Sequence, residues 1–218
     1  MPTITDVQMQ QHDPERVSVY LDGTFAFGAS QMLAYARNLV PGRVVTEEEI
    51  AALRHDDAVD RALGSALNFL SFRPRSRREI EDNLRKKNVE GEVVAAVLDR
   101  LQRTGLVNDE DFARFWVENR QTFRPKGTRA LKAEMRQKGL DSEAIETALE
   151  DIGDEEETAY RAGHKKAQSL RAADEAEFFR KMLGFLQRRG FPYGAAAPAA
   201  RRLYREVAGG EPEEVELP

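Results

Sequence analysis

The chain has 218 residues, of which 41% are hydrophobic and 33% are charged, a balance typical of a folded protein with a highly charged surface. It contains no cysteine, which excludes disulfides, a thiolate nucleophile and any metal site with cysteine ligands. No apolar run approaches the ~20 residues that span a bilayer, and the first residues lack the basic and apolar pattern of a secretory signal, so we expect a cytoplasmic protein.

The formal net charge of -5 is unevenly distributed along the chain. Acidic side chains outnumber basic ones in residues 1–60, and every charged side chain in residues 207–218 is acidic, whereas residues 61–206 are mildly basic with clustered cations. A long basic middle predicts a partner that is anionic over an extended surface rather than a small acidic ligand.

The first residues predict a short antiparallel sheet followed by a helix. Alternating apolar positions form short runs on both sides of Asp22-Gly23, and this dipeptide is typical of a two-residue hairpin turn because both central positions need a positive φ. We expect the helix that follows the sheet to run from Ser30 to about Leu39, ahead of a Pro-Gly stop.

A second helix is predicted where Thr46 and Glu49 have the spacing of a capping box, in which each residue satisfies an amide of the other. Glutamates at the start of a helix also suit its positive end. We expect this helix to continue through Leu53.

From residue 62 onward the sequence predicts only helices, and apolar positions recur at an offset of 51 residues. The five columns are Ile80, Leu131 and Met182; Leu84, Met135 and Leu186; Val89, Leu140 and Phe191; Leu98, Leu149 and Ala200; and Leu101, Ile152 and Leu203. A further column contains Asn88, Gly139 and Gly190, residue types that tolerate the left-handed backbone conformation at the end of a helix. Each unit is therefore predicted to contain three helices, with starts marked by residues such as Asp154 and Asp174.

We predict a mostly α protein: an elongated tandem array of three three-helix repeats preceded by a small α+β segment with a short antiparallel sheet. The predicted boundaries are residues 1–60 for the N-terminal extension, 61–108, 109–153 and 154–206 for the three repeats, and 207–218 for an acidic tail whose composition predicts disorder.

The segment from residue 124 to residue 140 is basic, and Glu134 is its only acid. At about 100° per residue, Arg129, Lys132 and Arg136 lie on one stripe of a helix, about a third of a turn from two of the apolar columns. The pattern predicts an amphipathic helix with a cationic edge.

Basic residues cluster in all three repeats, and we take them as candidate contacts with protein or DNA. They are Arg73, Arg75 and Arg77 in the first repeat, Arg120, Arg124, Lys126, Arg129, Lys132, Arg136 and Lys138 in the second, and Arg188 and Arg189 in the third. For any single residue the alternative stays open that the charge only solvates an outer face or pairs with Glu118 or Glu134.

No set of residues assembles into a catalytic, cofactor or metal site, so we predict a protein that is not an enzyme and has no cofactor. His12, His55 and His164 lie in different segments. Gly127-Thr128 follows a lysine, but the order of residues in a phosphate-binding loop is missing. The acids at 47–49 and at 56, 57 and 60 point in different directions around a helix and are predicted to be solvated.

Four aromatic residues in the second repeat have side chains that can stack on nucleic-acid bases. Phe112, Phe115 and Trp116 have the spacing of a buried helical stripe and are predicted to belong to the core. Only Phe123, beside the basic loop, is a candidate contact.

Three stretches resemble the RecX regulators of the bacterial recombinase RecA. They are ALNFLSFRPRSRREIEDNLRKKN (66–88), GLVNDEDFARFWVENRQTFRPKGTRALKAEMRQKGL (105–140) and RKMLGFLQRRGFPY (180–193). The second is the most specific, with a DE-x-FA helix start, an aromatic pair before an arginine, Pro-Lys-Gly, a basic and apolar helix, and KGL. VYLDGTFAFGAS is similar to the strand-rich extension of some members, so the resemblance covers roughly residues 4–206.

Two positions depart from the pattern of the family. Asn88 stands where glycine is usual, and GAAAPAA in the third repeat lacks the larger apolar side chains that the resemblance leads us to expect on the last helix. The second departure leaves the rigidity of that helix open.

The resemblance implies a noncatalytic protein that binds in the helical groove of the RecA filament on single-stranded DNA and modulates or inhibits its recombinase, ATPase and coprotease activities. It further implies a role in DNA repair, homologous recombination and the SOS response. We expect a monomer with weak direct DNA binding of its own. The alternative is a DNA-binding helical repeat protein that acts without RecA, whose affinity would fall steeply with salt; the acidic N-terminal segment argues against it.

Overall fold

The computed structural model describes residues 1–150 and 152–209, most of which are helical. The strands are β1 (Ile4–Gln10), β2 (Asp13–Leu21) and β3 (Thr24–Ser30), and the described helices are α1 (Gln31–Ala36), α2 (Glu47–Leu70), α3 (Arg77–Lys86), α4 (Gly91–Arg103), α5 (Asp109–Phe123), α6 (Thr128–Gln137), α7 (Ser142–Glu150), α8 (Glu155–Gln168), α9 (Glu175–Arg188) and α10 (Tyr193–Val207). The predicted acidic tail lies outside the described residues from position 210 onward.

The described chain divides into two compact units. The first contains Met1–Arg75 and Glu79–Val107, and the second contains Ser76–Arg78 and the residues from Asn108 onward. The mostly α fold with three three-helix repeats after a small α+β segment is confirmed, whereas the exact repeat boundaries at 61–108, 109–153 and 154–206 stay predictions.

The N-terminal sheet is antiparallel, with strand order β1-β2-β3. Its predicted hairpin is confirmed, because Asp22 (φ 47°) and Gly23 (φ 84°) join β2 to β3 in the left-handed backbone region. One face of the sheet is buried against α1 and α2, and the residues of this core are Ile4, Val17, Val19, Leu21, Phe27, Ala29, Leu33, Ala34, Leu39, Val45, Ile50 and Leu53.

Helix α2 is longer than the sequence pattern predicted. The capping box at its start is present, since Thr46 Oγ1 accepts from Glu49 N (3.2 Å) and Glu49 Oε2 accepts from Thr46 N (3.0 Å). The predicted end at Leu53 is wrong, because no proline or left-handed residue interrupts the helix before Leu70. Its first half contributes to the core of the sheet, and its second half contributes Ala62 and Ala66 to the core of the first repeat.

The recurring columns line the cores of the repeats. The first two columns, which begin at Ile80 and Leu84, are fully buried in all three repeats. The other columns are buried except at Val89 and Ile152, which are half-buried and pack against the cores of their own repeats. The predicted helix stops are confirmed as well: the φ angles of Asn88, Gly139 and Gly190 are 58°, 85° and 88°.

The alanine-rich helix α10 packs closely against α8, in which Ala159, Ala162 and Gly163 are buried. A side chain at Gly163 would clash with Leu203 Cδ1, so the two helices depend on small residues at their contact. The small side chains of the last helix therefore allow a close approach to its neighbour instead of leaving the core of the third repeat underfilled.

Candidate functional site

The basic loop between α5 and α6 contacts the end of α9 within the second unit. Gly127 N donates to Arg189 O (3.1 Å), and a side chain at Gly127 would clash with the carbonyl of Gly190. Thr128 N and Oγ1 both donate to Glu155 Oε1, at 2.8 and 3.0 Å. The Pro-Lys-Gly-Thr sequence thus forms a junction between the second and third repeats.

Two of the predicted cations in this segment form an internal cluster around Glu134. Arg120 Nε donates to Glu134 Oε2 (2.8 Å), Trp116 Nε1 donates to the same oxygen (3.0 Å), and Lys126 Nζ contacts Glu134 Oε1. The Arg120 guanidinium also lies 4.2 Å from the centroid of the Trp116 ring. These contacts join the end of α5, the loop and the middle of α6.

The environment of Glu134 changes its pKa in two opposing ways. Burial acts to raise the pKa of this half-buried carboxyl group, but the hydrogen bonds and positive charges of Arg120 and Lys126 outweigh burial. The pKa of Glu134 is therefore below its ordinary value, and the cluster holds a carboxylate with two cations. Arg120 and Lys126 compensate this internal charge before they can act on any partner.

The other predicted cations of α6 form an outer stripe, which consists of Arg129, Lys132 and Arg136. Arg129 and Arg136 are exposed and Lys132 is half-buried. Within residues 1–150 and 152–209, none of the three forms an ion pair with an acidic side chain. Arg124, at the end of α5, is exposed as well. These side chains present positive charge that the described part of the chain does not neutralise.

The third repeat brings its basic pair to the same junction. Arg188 is exposed, and Arg189 Nη1 lies 3.4 Å from Pro125 O. The guanidinium of Arg189 also lies 4.7 Å from the centroid of the Phe185 ring. Of the predicted residues of the third repeat, Arg189 therefore contacts the loop between α5 and α6.

The predicted cations of the first repeat have local contacts. Arg73 forms a bidentate ion pair with Glu79, with nitrogen–oxygen distances of 2.8 and 3.1 Å. Arg75 Nε donates to Phe69 O, and its guanidinium lies 3.8 Å from the centroid of the Phe69 ring. Partial burial, followed by the neighbouring charge of Arg73, lowers the pKa of Arg75. These two side chains brace the turn between α2 and α3.

The remaining predicted residues lie in the second unit. Arg77 is exposed, and its backbone amide donates to Asp109 Oδ1 (2.9 Å). Lys138 Nζ lies 5.0 Å from the centroid of the Trp116 ring, and the Lys138 carbonyl accepts from Ser76 Oγ (2.7 Å). As binding residues, all twelve cations stay predictions.

The aromatic residues are arranged as predicted, with one addition. Phe112 and Trp116 are buried with ring centroids 5.7 Å apart, and Phe115 is half-buried. Phe123 is 75% exposed. Sequence reasoning missed Phe72, which is 76% exposed and occupies the same column as Phe123 at the offset of 51. The repeated Phe-Arg-Pro tripeptide was the signal that identifies it.

The three histidines lie apart from one another, whereas the acidic residues at 47–49 and at 56, 57 and 60 all lie on α2. His12, His55 and His164 are exposed on different parts of the chain. In the described residues, no group of three or more histidine or acidic side chains is placed to hold a metal ion. Asp57 is buried rather than solvated, because it pairs with Arg16 (2.9 Å), and its neighbours at 56 and 60 pair with two other arginines. None of the described helices is long and apolar enough to cross a membrane.

Family models match four segments of the chain. The model described as the regulatory protein RecX N-terminal domain matches residues 2–46. The models for the first, second and third three-helix domains of RecX match residues 62–101, 108–149 and 154–207.

Known proteins match over most of the chain. The regulatory protein RecX of Bacillus subtilis (strain 168) is 30% identical over 208 residues, which are 94% of this chain and 79% of the relative. That of Listeria monocytogenes (strain EGD-e) is 30% identical, over 94% of this chain and 77% of the relative.

Solved structures agree. The crystal structure of a regulatory protein RecX has a TM-score of 0.72 and 25% identity, and covers 89% of this chain and 97% of its own. RecX from Lactobacillus salivarius has a TM-score of 0.60 and 25% identity, over 68% of this chain and 97% of its own. The chain therefore belongs to the RecX family of regulatory proteins.

Proposed function

We propose that this protein binds in the helical groove of the RecA filament on single-stranded DNA and limits its recombinase, ATPase and coprotease activities. Such a protein acts in the cytoplasm, in recombinational repair and the SOS response, without performing catalysis itself. Membership of a family of regulatory proteins supports a regulatory role, and the resemblance to regulators of RecA supplies the partner.

The observation that carries this proposal is the outer stripe of α6. Arg129, Lys132 and Arg136 are not neutralised by the described part of the chain, although acids are abundant elsewhere in it. Arg124 and Arg188 add exposed positive charge near the same junction. Unpaired cations on a rigid helix suit an acidic protein surface or nearby DNA phosphates, because they attract such a partner at long range and pay no cost of breaking internal pairs.

The test uses preformed RecA filaments on single-stranded DNA. The protein is added in increasing amounts while ATP hydrolysis and strand exchange are followed. We expect both activities to fall at stoichiometries well below one copy of this protein per RecA protomer. The reason is that one bound copy acts on an assembled filament and not on a single protomer. Unchanged activities over this range would contradict the proposal.

The same cations motivate a second candidate, a protein that binds DNA directly without RecA. It predicts tight binding to bare DNA, with the logarithm of the binding constant falling linearly as the logarithm of the salt concentration rises. Fluorescence anisotropy with labelled oligonucleotides at several salt concentrations separates the two candidates. Binding to bare DNA that is as tight as binding to the filament would favour the second.

A further inference from the structure

Two turns in different repeats present the same four-residue pattern. Phe72-Arg73-Pro74-Arg75 follows α2, and Phe123-Arg124-Pro125-Lys126, at the repeat offset of 51 residues, ends α5 and leads to α6. We call these the first and second corners. The two phenyl rings are 76% and 75% exposed, which is unusual for a side chain of this type.

The first corner is held in place by its own cations. Ser71 Oγ donates to Asn68 O (2.8 Å), so the end of α2 is fixed just before the aromatic ring. Arg73 binds Glu79 with both of its terminal nitrogens, and Arg75 covers the ring of Phe69. The charged side chains thus fold back on the protein while the ring of Phe72 points into solvent.

The second corner resembles the first in the residue after its proline but not in its arginine, because the side chain of Arg124 is exposed. The backbone amide of Arg124 donates to Arg120 O (3.0 Å), and Lys126 binds Glu134. The carbonyl of Pro125 lies 3.4 Å from Arg189 Nη1. Lys126 occupies the column of Arg75, and in both corners the residue in this column turns inward while the ring stays outside.

The third repeat has no equivalent. Its sequence between Gln168 and Glu175 contains no aromatic residue, and Asp174 occupies the column of the two phenylalanines. Asp174 caps α9, with its side chain accepting from Glu177 N (2.8 Å). The pattern therefore belongs to two of the three repeats.

We infer that Phe72 and Phe123 are equivalent aromatic anchors, each of which inserts into an apolar pocket on one protomer of a polymeric protein. The inference rests on the proposed function, because it takes the RecA filament as that polymer. An exposed aromatic ring on a turn stiffened by proline is already close to its bound conformation, and binding therefore costs little conformational entropy. Aromatic residues, phenylalanine among them, are enriched at protein interfaces.

The chemistry of the corners favours a protein pocket over nucleic-acid bases. Proteins that stack bases combine aromatic rings with cations free to bind phosphates. In the first corner Arg73 and Arg75 are both engaged with their own repeat. The two corners share an exposed phenyl ring and a turn that contains proline. Because the shared ring is apolar, we expect its binding site to be an apolar pocket.

The duplication points to a partner that repeats as well. Two anchors with the same shape need two pockets with the same shape, and neighbouring protomers of a homopolymer supply them. Once one anchor is bound, the second binds at a high effective concentration, and the chain gains affinity without any new kind of contact.

The test compares Phe72→Ala, Phe123→Ala and the double variant in binding to preformed RecA filaments by biolayer interferometry. We expect each single substitution to weaken binding on the order of tenfold and the double substitution to weaken it on the order of a hundredfold or more. On RecA protomers kept unassembled, each single variant should bind within about twofold of the parent, because one anchor is sufficient there, and only the double variant should lose binding.

Tyr35→Ala is the matched control, since Tyr35 is an exposed aromatic residue (91%) outside the corners and its removal should leave binding unchanged. Melting temperatures should match the parent in every variant because the rings are exposed. Parental binding by the double variant would refute the anchors and leave the proposed function intact, whereas a parent that does not bind filaments would overturn both. An equal loss of binding to an oligothymidylate would identify the rings as base-stacking residues and overturn the protein pocket.

Discussion

The Glu134 cluster and the outer stripe of α6 both contain arginine and lysine side chains from one short segment, but these side chains differ in their contacts. Arg120 and Lys126 bind a half-buried carboxylate, whereas Arg129, Lys132 and Arg136 have no acidic partner in the described residues. The difference shows that a basic segment is not uniformly a binding surface. Arg120 and Lys126 stabilise the repeat by binding Glu134, and the cations of the outer stripe are available to a partner.

The comparison predicts a ranking of effects on stability, and the core side of α6 should have the largest. Leu131 is fully buried, so Leu131→Ala removes apolar contacts and leaves a cavity. We expect the free energy of unfolding to fall by about 2–5 kcal/mol, measured by urea denaturation. Gln137→Ala, at an exposed position of the same helix, should change it by less than about 0.5 kcal/mol. Equal stability of Leu131→Ala and the parent would show that the register of the repeats is wrong.

The junction that links α6 to the third repeat should rank second. Gly127→Ala places a Cβ against the carbonyl of Gly190, and backbone atoms cannot move aside as a flexible side chain can. We expect a loss of about 1–3 kcal/mol in the free energy of unfolding, measured in the same way. Gly194→Ala is the matched control, because its Cβ would meet no atom within 4 Å and the change should be neutral or slightly stabilising. Similar results for the two glycines would argue against a close contact at the junction.

The Glu134 cluster should rank third, and its contribution should depend on pH. Glu134→Gln removes the negative charge that Arg120 and Lys126 bind, and we expect a loss of about 1–3 kcal/mol at pH 7. Because the pKa of Glu134 is lower in the folded state than in the unfolded state, this stabilisation is present above the unfolded value of about 4.3 and is lost as the pH falls through the folded value. The gap between parent and variant should therefore narrow below about pH 4.

Urea denaturation at a series of pH values measures this gap. Glu118→Gln serves as the control because Glu118 is an exposed acid on the neighbouring helix α5. It should have a small effect at every pH. A gap for Glu134→Gln that stays constant from neutral to acidic pH would mean that the ion pairs do not contribute to stability.

Sequence periodicity was sufficient to predict the repeat cores, whereas pairing with Glu134 stayed an open alternative for each cation. The columns and the left-handed stops follow from the apolar periodicity and from single residue types, which a fixed offset records directly. The pairing of Arg120 with Glu134 depends on how α5 crosses α6, and no local pattern encodes that angle. The length of α2 was missed for a related reason, since its second half is stabilised by burial in the core of the first repeat.

The site was predicted as a set of charges, and the structure divides that set by the contacts of each member. Gly127 was interpreted only as part of a loop-forming turn, because the neighbour that requires a glycine there, Gly190, is 63 positions away in the sequence. Phe72 lies in the first repeat, outside the aromatic cluster of the second repeat on which the prediction of Phe123 rests. Its equivalence to Phe123 is visible in the sequence once the offset is applied to the turns as well as to the helices.

The outer stripe should have the smallest effect on stability and the clearest effect on function. Arg129→Glu with Lys132→Glu reverses two charges that have no acidic partner in the described residues, so the free energy of unfolding should change by less than about 0.5 kcal/mol. The double variant should nevertheless inhibit the ATP hydrolysis of preformed RecA filaments less strongly than the parent does, because the reversed charges repel an anionic surface. Lys165→Glu with Arg171→Glu makes the same change in net charge at exposed positions outside the stripe and should inhibit as the parent does. If both double variants inhibit equally well, the stripe is only a solvated face, and the distinction between the two sets of cations has no functional meaning.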